Sequence, residues 1–285
     1  MRVDALLREG ITRSFEFFPP KSDEEAAVLS ATLADLEQLR PSFVSVTYRG
    51  GRESRQRTYD LVTRIKREGH LTAMAHLICV GHSRAEMTEI LEHYRDAGVE
   101  NLMALGGDPP EGEDLARELD HASDLVELAR RVGDFSIGVA AHPDGHPRSR
   151  DLASDRRYLA AKLAAADFAL TQFFFELSQW TRLVEEVGAL GVVKPILPGI
   201  MPVTTISGMS RMADMGAKVP EALARRLERA HERGGPGAVR AEGIAAAREL
   251  CEALLEAGAP GLHFYTLNRS TATREIHEAL FSART

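Results

Sequence analysis

The 285-residue chain has only two cysteines, Cys79 and Cys251. Two thiols cannot staple a chain of this size, and their spacing matches no metal motif, so a reduced compartment fits best. The segment MRVDALLREG at the start has no apolar stretch of the kind a signal peptide needs. No apolar run approaches the length required to span a bilayer. A block of lysine and arginine is also missing, and the net charge is −7, which argues against nucleic-acid binding. The one basic cluster, Arg49, Arg52, Arg55 and Arg57, reads either as a solvated loop and helix start or as an anion site. No GxGxxG follows the first apolar run, which removes the usual dinucleotide fingerprint. These absences describe a soluble, cytoplasmic protein with no nucleic-acid or membrane partner.

Hydrophobic residues make up 44% and charged residues 27% of the chain, as expected for a globular protein with a large core. Eight short apolar runs recur at 14–18, 43–48, 73–79, 101–106, 136–141, 168–175, 195–200 and 261–267. They are near-continuous rather than alternating, the pattern of strands covered on both faces, as in parallel sheets. The segments between them carry apolar residues at helical spacing. Examples are Ala27, Leu29, Leu33, Leu36 and Leu39 in 23–39, and Met87, Ile90, Leu91 and Tyr94 in 84–97. Ser83 and Ser123 are predicted helix N-caps, and a helix over 239–257 is predicted to end near Gly258. GlyGlyPro at 234–236 reads as a break between two helices, and 203–260 has room for two or three. The reading is a single domain over 1–285, a closed (β/α)8 TIM barrel, with a doubly wound open sheet as the alternative.

Active sites in such barrels lie at the C-terminal ends of the strands, so polar residues in or just after each run are candidates. Glu16 stands among Phe15, Phe17 and Phe18. A buried carboxylate there is predicted to have a raised pKa and to serve as a general acid, unless it points outward or pairs with a structural arginine. Thr47 ends the second run and His76 lies within the third. Gly106, Gly107 and Asp108 end the fourth, in a rigid turn before two prolines. His142 ends the fifth, Gln172 lies in the sixth, and Asn268 and Arg269 follow the eighth. Gln172 reads either as a satisfied core amide or as a reader of a polar ligand. His142 and His146 suggest a metal pair, but no cysteine or third histidine completes it locally, so no metal is expected.

The segments SerPheGluPhePheProPro (14–20), PheValSerValThrTyr (43–48), GlyAspProPro (107–110), ThrGlnPhePhePhe (171–175), ProGlyIleMetProVal (198–203) and HisPheTyrThrLeuAsnArg (263–269) fall in order along nearly the whole chain. Together they resemble the methylenetetrahydrofolate reductase family. The resemblance implies a barrel that holds FAD. NADH or NADPH would reduce the flavin, which then reduces methylenetetrahydrofolate to 5-methyltetrahydrofolate in a ping-pong cycle. By position, Glu16 would be the general acid that protonates folate N10 and opens the ring to an iminium. Asp108 would contact folate and tune the flavin. Thr47, His76, Gly107, His142, His146 and Lys162 would contact the flavin, and Gln172 and Arg269 the folate.

The departures from the family pattern gather around the flavin. Gly106 stands where the family usually has arginine, and histidines stand at 121 and 142 where tyrosine is common. Residues 162–166 are about one residue short and lack an acid. Arg49 or Arg52 would then be the replacement for the missing arginine, since arginine pairs bidentately with phosphate. Two alternatives follow: a flavin-independent folate reductase of the same fold, and a non-catalytic folate-binding homologue. The chain ends soon after the eighth run, so no C-terminal regulatory domain and no inhibition by S-adenosylmethionine are expected. Homo-oligomers are common in the family, and the sequence itself does not choose between NADH and NADPH.

Overall fold

In a computed structural model of the chain, residues 1–47, 52–107, 118–269 and 271–281 are described, with Arg52 and Glu53 described by backbone alone. Eight parallel strands close into one barrel in sequential order. They are β1 (Thr12–Phe17), β2 (Phe43–Val46), β3 (Ala73–Ile78), β4 (Asn101–Leu105), β5 (Ser136–Ala141), β6 (Phe168–Phe173), β7 (Ile196–Ile200) and β8 (Gly261–Tyr265). Each predicted run holds one strand, and the closed barrel rather than the open sheet is the architecture. The helices are α1 (Val3–Glu9), α2 (Asp23–Glu37), α3 (Arg52–Glu68), α4 (Arg84–Asp96), α5 (Ala122–Val132), α6 (Leu152–Ala165), α7 (Leu177–Ala189), α8 (Ile206–Asp214), α9 (Glu221–Glu256) and α10 (Thr271–Phe281). No described helix is long and apolar enough to cross a membrane.

Strand alternation divides the core in two. Outward residues such as Phe15, Val44, Ala75, Leu102, Val139 and Phe264 pack beneath the helices in one large cluster. Inward residues Phe43, Met74, Met103, Phe168, Leu170 and Leu197 fill the barrel and meet Val3 of α1. The sequence pattern did not reveal α1, which buries only Val3. It is held by tertiary hydrogen bonds instead. Val3 N donates to Asn101 Oδ1 at 2.7 Å, and Asp4 N donates to Ser136 Oγ at 3.0 Å. The orphan amides of its first turn are thus satisfied by strands β4 and β5, and α1 plugs the N-terminal end of the barrel.

Helix ends follow local chemistry, with one correction. Ser83 caps α4 in a capping box with Glu86. Ser123 does not cap α5: His121 is the N-cap, and Asp124 accepts from the His121 and Asp120 amides at 2.9 Å each. An acid three residues into the helix outcompetes the serine because it satisfies two orphan donors. Gly234 and Gly235 take non-helical angles before Pro236, so α9 is two helices meeting at a kink, as the GlyGlyPro break implied.

Pro198 lies within β7 and has no N–H, and between Leu170 and Phe173 the β6–β7 register shifts. Side chains replace the lost ladder bonds: Gly199 N donates to Thr171 Oγ1 at 2.8 Å, and the Tyr265 hydroxyl donates to Thr171 O at 2.7 Å. The irregularity falls at Thr171 and Gln172, the two residues between.

Two helical glycines should respond oppositely to alanine. A Cβ on Gly188 in α7 meets nothing within 4 Å, whereas on Gly243 in α9 it would lie 1.8 Å from the Val203 carbonyl oxygen. Gly188→Ala should stabilise by about 0.5–1 kcal/mol through helix propensity. Gly243→Ala should destabilise by about 1–3 kcal/mol despite the same propensity gain. Urea unfolding of both variants checks the opposite signs.

Candidate active site

Glu16, His76 and His263 meet inside the C-terminal half of the barrel. Glu16 is 7% exposed, His76 5%, and His263 fully buried. Glu16 Oε2 lies 3.4 Å from His76 Nε2 and 3.5 Å from His263 Nε2. β1 and β3 supply the first two residues, as alternate strands do in barrel layers. His263 comes from β8, where it pairs in register with Ser14, and its Nδ1 lies 2.9 Å from Ser14 Oγ. Ser14, His263 and Glu16 therefore form a hydrogen-bonded chain. Sequence reasoning missed His263, although it stands two residues before the inward Tyr265 and shares its strand face.

The charge state of Glu16 differs from expectation. Burial alone pushes its pKa up, but the attraction of His76 and the hydrogen bond from His263 outweigh it and hold the carboxyl below its ordinary range. The predicted raised pKa is therefore corrected, because the sequence did not show two imidazoles facing one oxygen. Burial lowers the pKa of His76, with Glu16 pulling the other way. The Tyr265 phenol, half-buried beside them, is pushed well above its usual value by desolvation and by Glu16. Glu16 and His76 each shift the other's titration.

Around this centre the other candidates occupy the rim. Thr47 follows β2, its amide bonded to Phe17 O at 2.8 Å and its carbonyl to the Thr58 hydroxyl at 3.0 Å. Gly107 follows β4 with φ +78°, and a Cβ there would lie 2.0 Å from Ile78 Cγ2. Only glycine fits that exit. His142 and His146 are edge-to-face at 4.7 Å in the β5–α6 loop. Lys162 is held to Ala140 O of β5 at 2.7 Å, and burial lowers its ammonium pKa to about 8 against the pull of Asp155. Gln172 is engaged with its own chain: Nε2 donates to Met215 O at 3.1 Å, and Oε1 accepts from Phe173 N at 3.0 Å. Asp108 and Arg49 lie outside the described residues, as does the side chain of Arg52. Among the described residues, no three His, Cys, Asp or Glu side chains gather as a metal set.

After β8 the chain turns sharply. Leu267 and Asn268 have φ of 49° and 58°, left-handed values that cost a leucine about 1–2 kcal/mol. Asn268 secures the turn by pairing with both backbone groups of Phe18, accepting its amide at 2.8 Å and donating to its carbonyl at 3.0 Å. Beside it opens a cleft of about 710 Å3, lined by Phe18 and by charges of both signs, Lys21, Arg57 and Arg269 with Glu24 and Glu25.

The sequence reading also missed the brace of the β5–α6 loop. Asp155 accepts from His146 N at 2.9 Å and Ser149 Oγ at 3.1 Å, and pairs with Arg156 at 2.9 Å. Arg156, 3% exposed, holds the carbonyls of His142 and Pro143 at 2.9 and 2.5 Å and Glu186 at 2.7 Å. An Asp–Arg dipeptide on a helix face carries no signal that it turns inward.

The sequence matches the profile described as methylenetetrahydrofolate reductase over residues 2–281. The chain belongs to the methylenetetrahydrofolate reductase family. It is 35% identical over 278 residues to the 5,10-methylenetetrahydrofolate reductase of Pectobacterium carotovorum, covering 97% of this chain and 92% of that one. Against the reductase of Escherichia coli the identity is 34% over 272 residues, covering 95% and 90%. The Arabidopsis thaliana methylenetetrahydrofolate reductase (NADH) 1 is 33% identical over 94% of this chain but only 48% of its own length. Among solved structures, a Clostridium thermocellum protein described as binding two copies of 5-methyl-5,6,7,8-tetrahydrofolic acid shares the fold. Its TM-score is 0.67 at 12% identity, covering 98% of this chain and 97% of that one. Within this fold, Glu16 and His76 lie together in the C-terminal half of the barrel.

The depressed pKa has a consequence for stability. A carboxylate with a lower pKa folded than unfolded stabilises the protein above its unfolded pKa, near 4.5, and that contribution is lost as pH falls through the folded value. Glu16→Gln removes the contribution. The stability gap between wild type and variant should be widest at pH 7 and shrink below about pH 4.5. Urea unfolding at several pH values measures it, and a gap that grows toward acid would contradict a depressed Glu16 pKa.

Proposed function

We propose that this chain reduces 5,10-methylenetetrahydrofolate to 5-methyltetrahydrofolate, with NADH or NADPH as electron source and FAD as bound intermediary. The observation that carries this reading is the Glu16 carboxylate, buried at the barrel mouth with one oxygen facing two imidazoles. Plain ligand binding does not require a charge in that position, and proton transfer does. The setting also fits a cofactor. Both ring nitrogens of His76 are buried without a well-aligned hydrogen-bond partner among the described residues, an uncommon state that a ligand would relieve.

In this reading a flavin held at the barrel mouth would supply the hydride chemistry. Thr47, His76, Gly107, Asp108, His142, His146 and Lys162 hold it, and Gln172 and Arg269 hold the folate. Glu16 delivers the proton to folate N10. In the ligand-free site the Glu16 carboxyl is held below its ordinary range, so it takes up a proton at Oε2 before it delivers one. Binding folate through Gln172 exchanges that side chain's bond to Met215 O. Arg269, beside Lys21 and Arg57 in the cleft after β8, meets the acidic end of the substrate. The protein acts in solution on a small molecule, in the cytoplasm.

Glu16→Gln tests the reading. With the half-reactions run separately and without oxygen, nicotinamide oxidation should continue in the variant. Folate reduction should fall by about 10²- to 10⁴-fold, the usual contribution of a general acid. Equal folate turnover in both proteins would remove Glu16 from this role.

A further inference from the structure

Glu16 has two neighbours at its own level of the barrel. Across β1–β2 it pairs in register with Ser45, and across β1–β8 with Tyr265. On β2, Phe43 points into the barrel while Val44 and Val46 pack beneath the helices. Ser45 stands between those valines, so it faces the interior as Glu16 does. It is fully buried. Neighbouring strands lie roughly 4.8 Å apart, which sets a hydroxyl at this register beside the carboxyl.

The other hydroxyls near Glu16 are committed elsewhere. That of Tyr265 donates to Thr171 O at 2.7 Å, and Ser14 Oγ lies 2.9 Å from His263 Nδ1. Thr266 binds the backbone carbonyl of Glu16, not its carboxyl. Ser45 Oγ is buried with no well-aligned partner among the described residues. It is nonetheless close enough to act on the carboxyl: against burial, which raises the Glu16 pKa, Ser45 joins His76 and His263 in lowering it. As filler, serine is a poor choice here, because alanine would take the same space without a buried hydroxyl to satisfy.

The titratable groups that face Glu16 among the described residues are His76 from β3 and His263 and Tyr265 from β8. An imidazole nitrogen that donates to the carboxylate must lose its own proton before it can accept from the acid. A hydroxyl only has to rotate.

We propose that Ser45 is a positioning residue for Glu16, donating to it as carboxylate, accepting from it as acid, and so keeping the side chain in one place while its proton comes and goes. The proposal rests on the reading of Glu16 as proton donor.

The first test is thermodynamic. Wild type, Ser45→Ala, Glu16→Gln and the double variant are unfolded in urea at several pH values. A bond to the carboxylate contributes only while Glu16 is charged in the folded protein. The stability lost in Ser45→Ala should therefore be widest near about pH 7, shrink below about pH 4.5, and lose that pH dependence in the Glu16→Gln background. A loss equal at every pH and in both backgrounds would make Ser45 a space-filler and overturn the proposal. The second readout is the folate half-reaction. Ser45→Ala should lower its acid-side plateau about tenfold. The fall in rate with rising pH should move to higher pH, because Glu16 then keeps its proton longer. Ser45→Thr retains the hydroxyl and should restore both features, whereas Ser45→Cys retains the volume and should not. Full restoration by cysteine, or an unchanged profile in Ser45→Ala, would overturn the proposal, and a slowed Glu16→Gln would still leave the Glu16 reading standing. Undiminished folate turnover in Glu16→Gln would remove that reading, and the proposal with it.

Discussion

A carboxylate at the centre of a closed barrel has to be compensated where it sits, because water cannot solvate it and it has no room to turn away. Glu16 meets that constraint with His76 from β3 and His263 from β8. The compensation in turn fixes much else. His263 needs Ser14 for its other nitrogen, which ties β8 to β1 at the barrel's closing seam. Above it, the Thr266 hydroxyl donates to Glu16 O at 2.6 Å, and Asn268 clasps Phe18. The strained turn at Leu267 is the geometric cost of bringing β8's exit back over β1.

The mouth is divided by charge and by rigidity. On the β1, β3 and β8 side, a buried carboxylate faces two imidazoles over short distances. On the β5 side, cations are pinned by an internal brace: Asp155 and Arg156 sit under the loop, and Lys162 and Arg148 reach carbonyls of β5 and the β4 exit. The Glu16 half is built from segments far apart in sequence, so it does not assemble before the barrel closes, whereas the brace on the β5 side is largely local.

This explains what could be read from the chain alone. The eight strands were legible because parallel strands are covered on both faces and show as continuous apolar runs. Glu16 was legible as a charge among phenylalanines. Its titration behaviour was not, since that depends on an imidazole 247 residues away. Helix α1 was illegible because strand side chains hold it rather than an apolar stripe of its own. The N-cap of α5 was misplaced by one small rule overriding another: a serine is a good cap, but Asp124 three residues on from His121 satisfies more donors. Arg148 and Arg156 look like surface residues in the sequence, and only the fold distinguishes the arginine that braces from the one that reaches outward.

The plug formed by α1 bears on traffic. Val3 packs against the ring of Phe43, Met74, Met103, Phe168, Leu170 and Leu197, so the lower barrel is solid and offers no passage through. Whatever reaches Glu16 arrives at the strands' C-terminal end and leaves by the same door. A molecule seated at Glu16 must leave by that same end before another can take its place. Alternation of this kind follows from a dead-end vestibule, without a moving gate to enforce it.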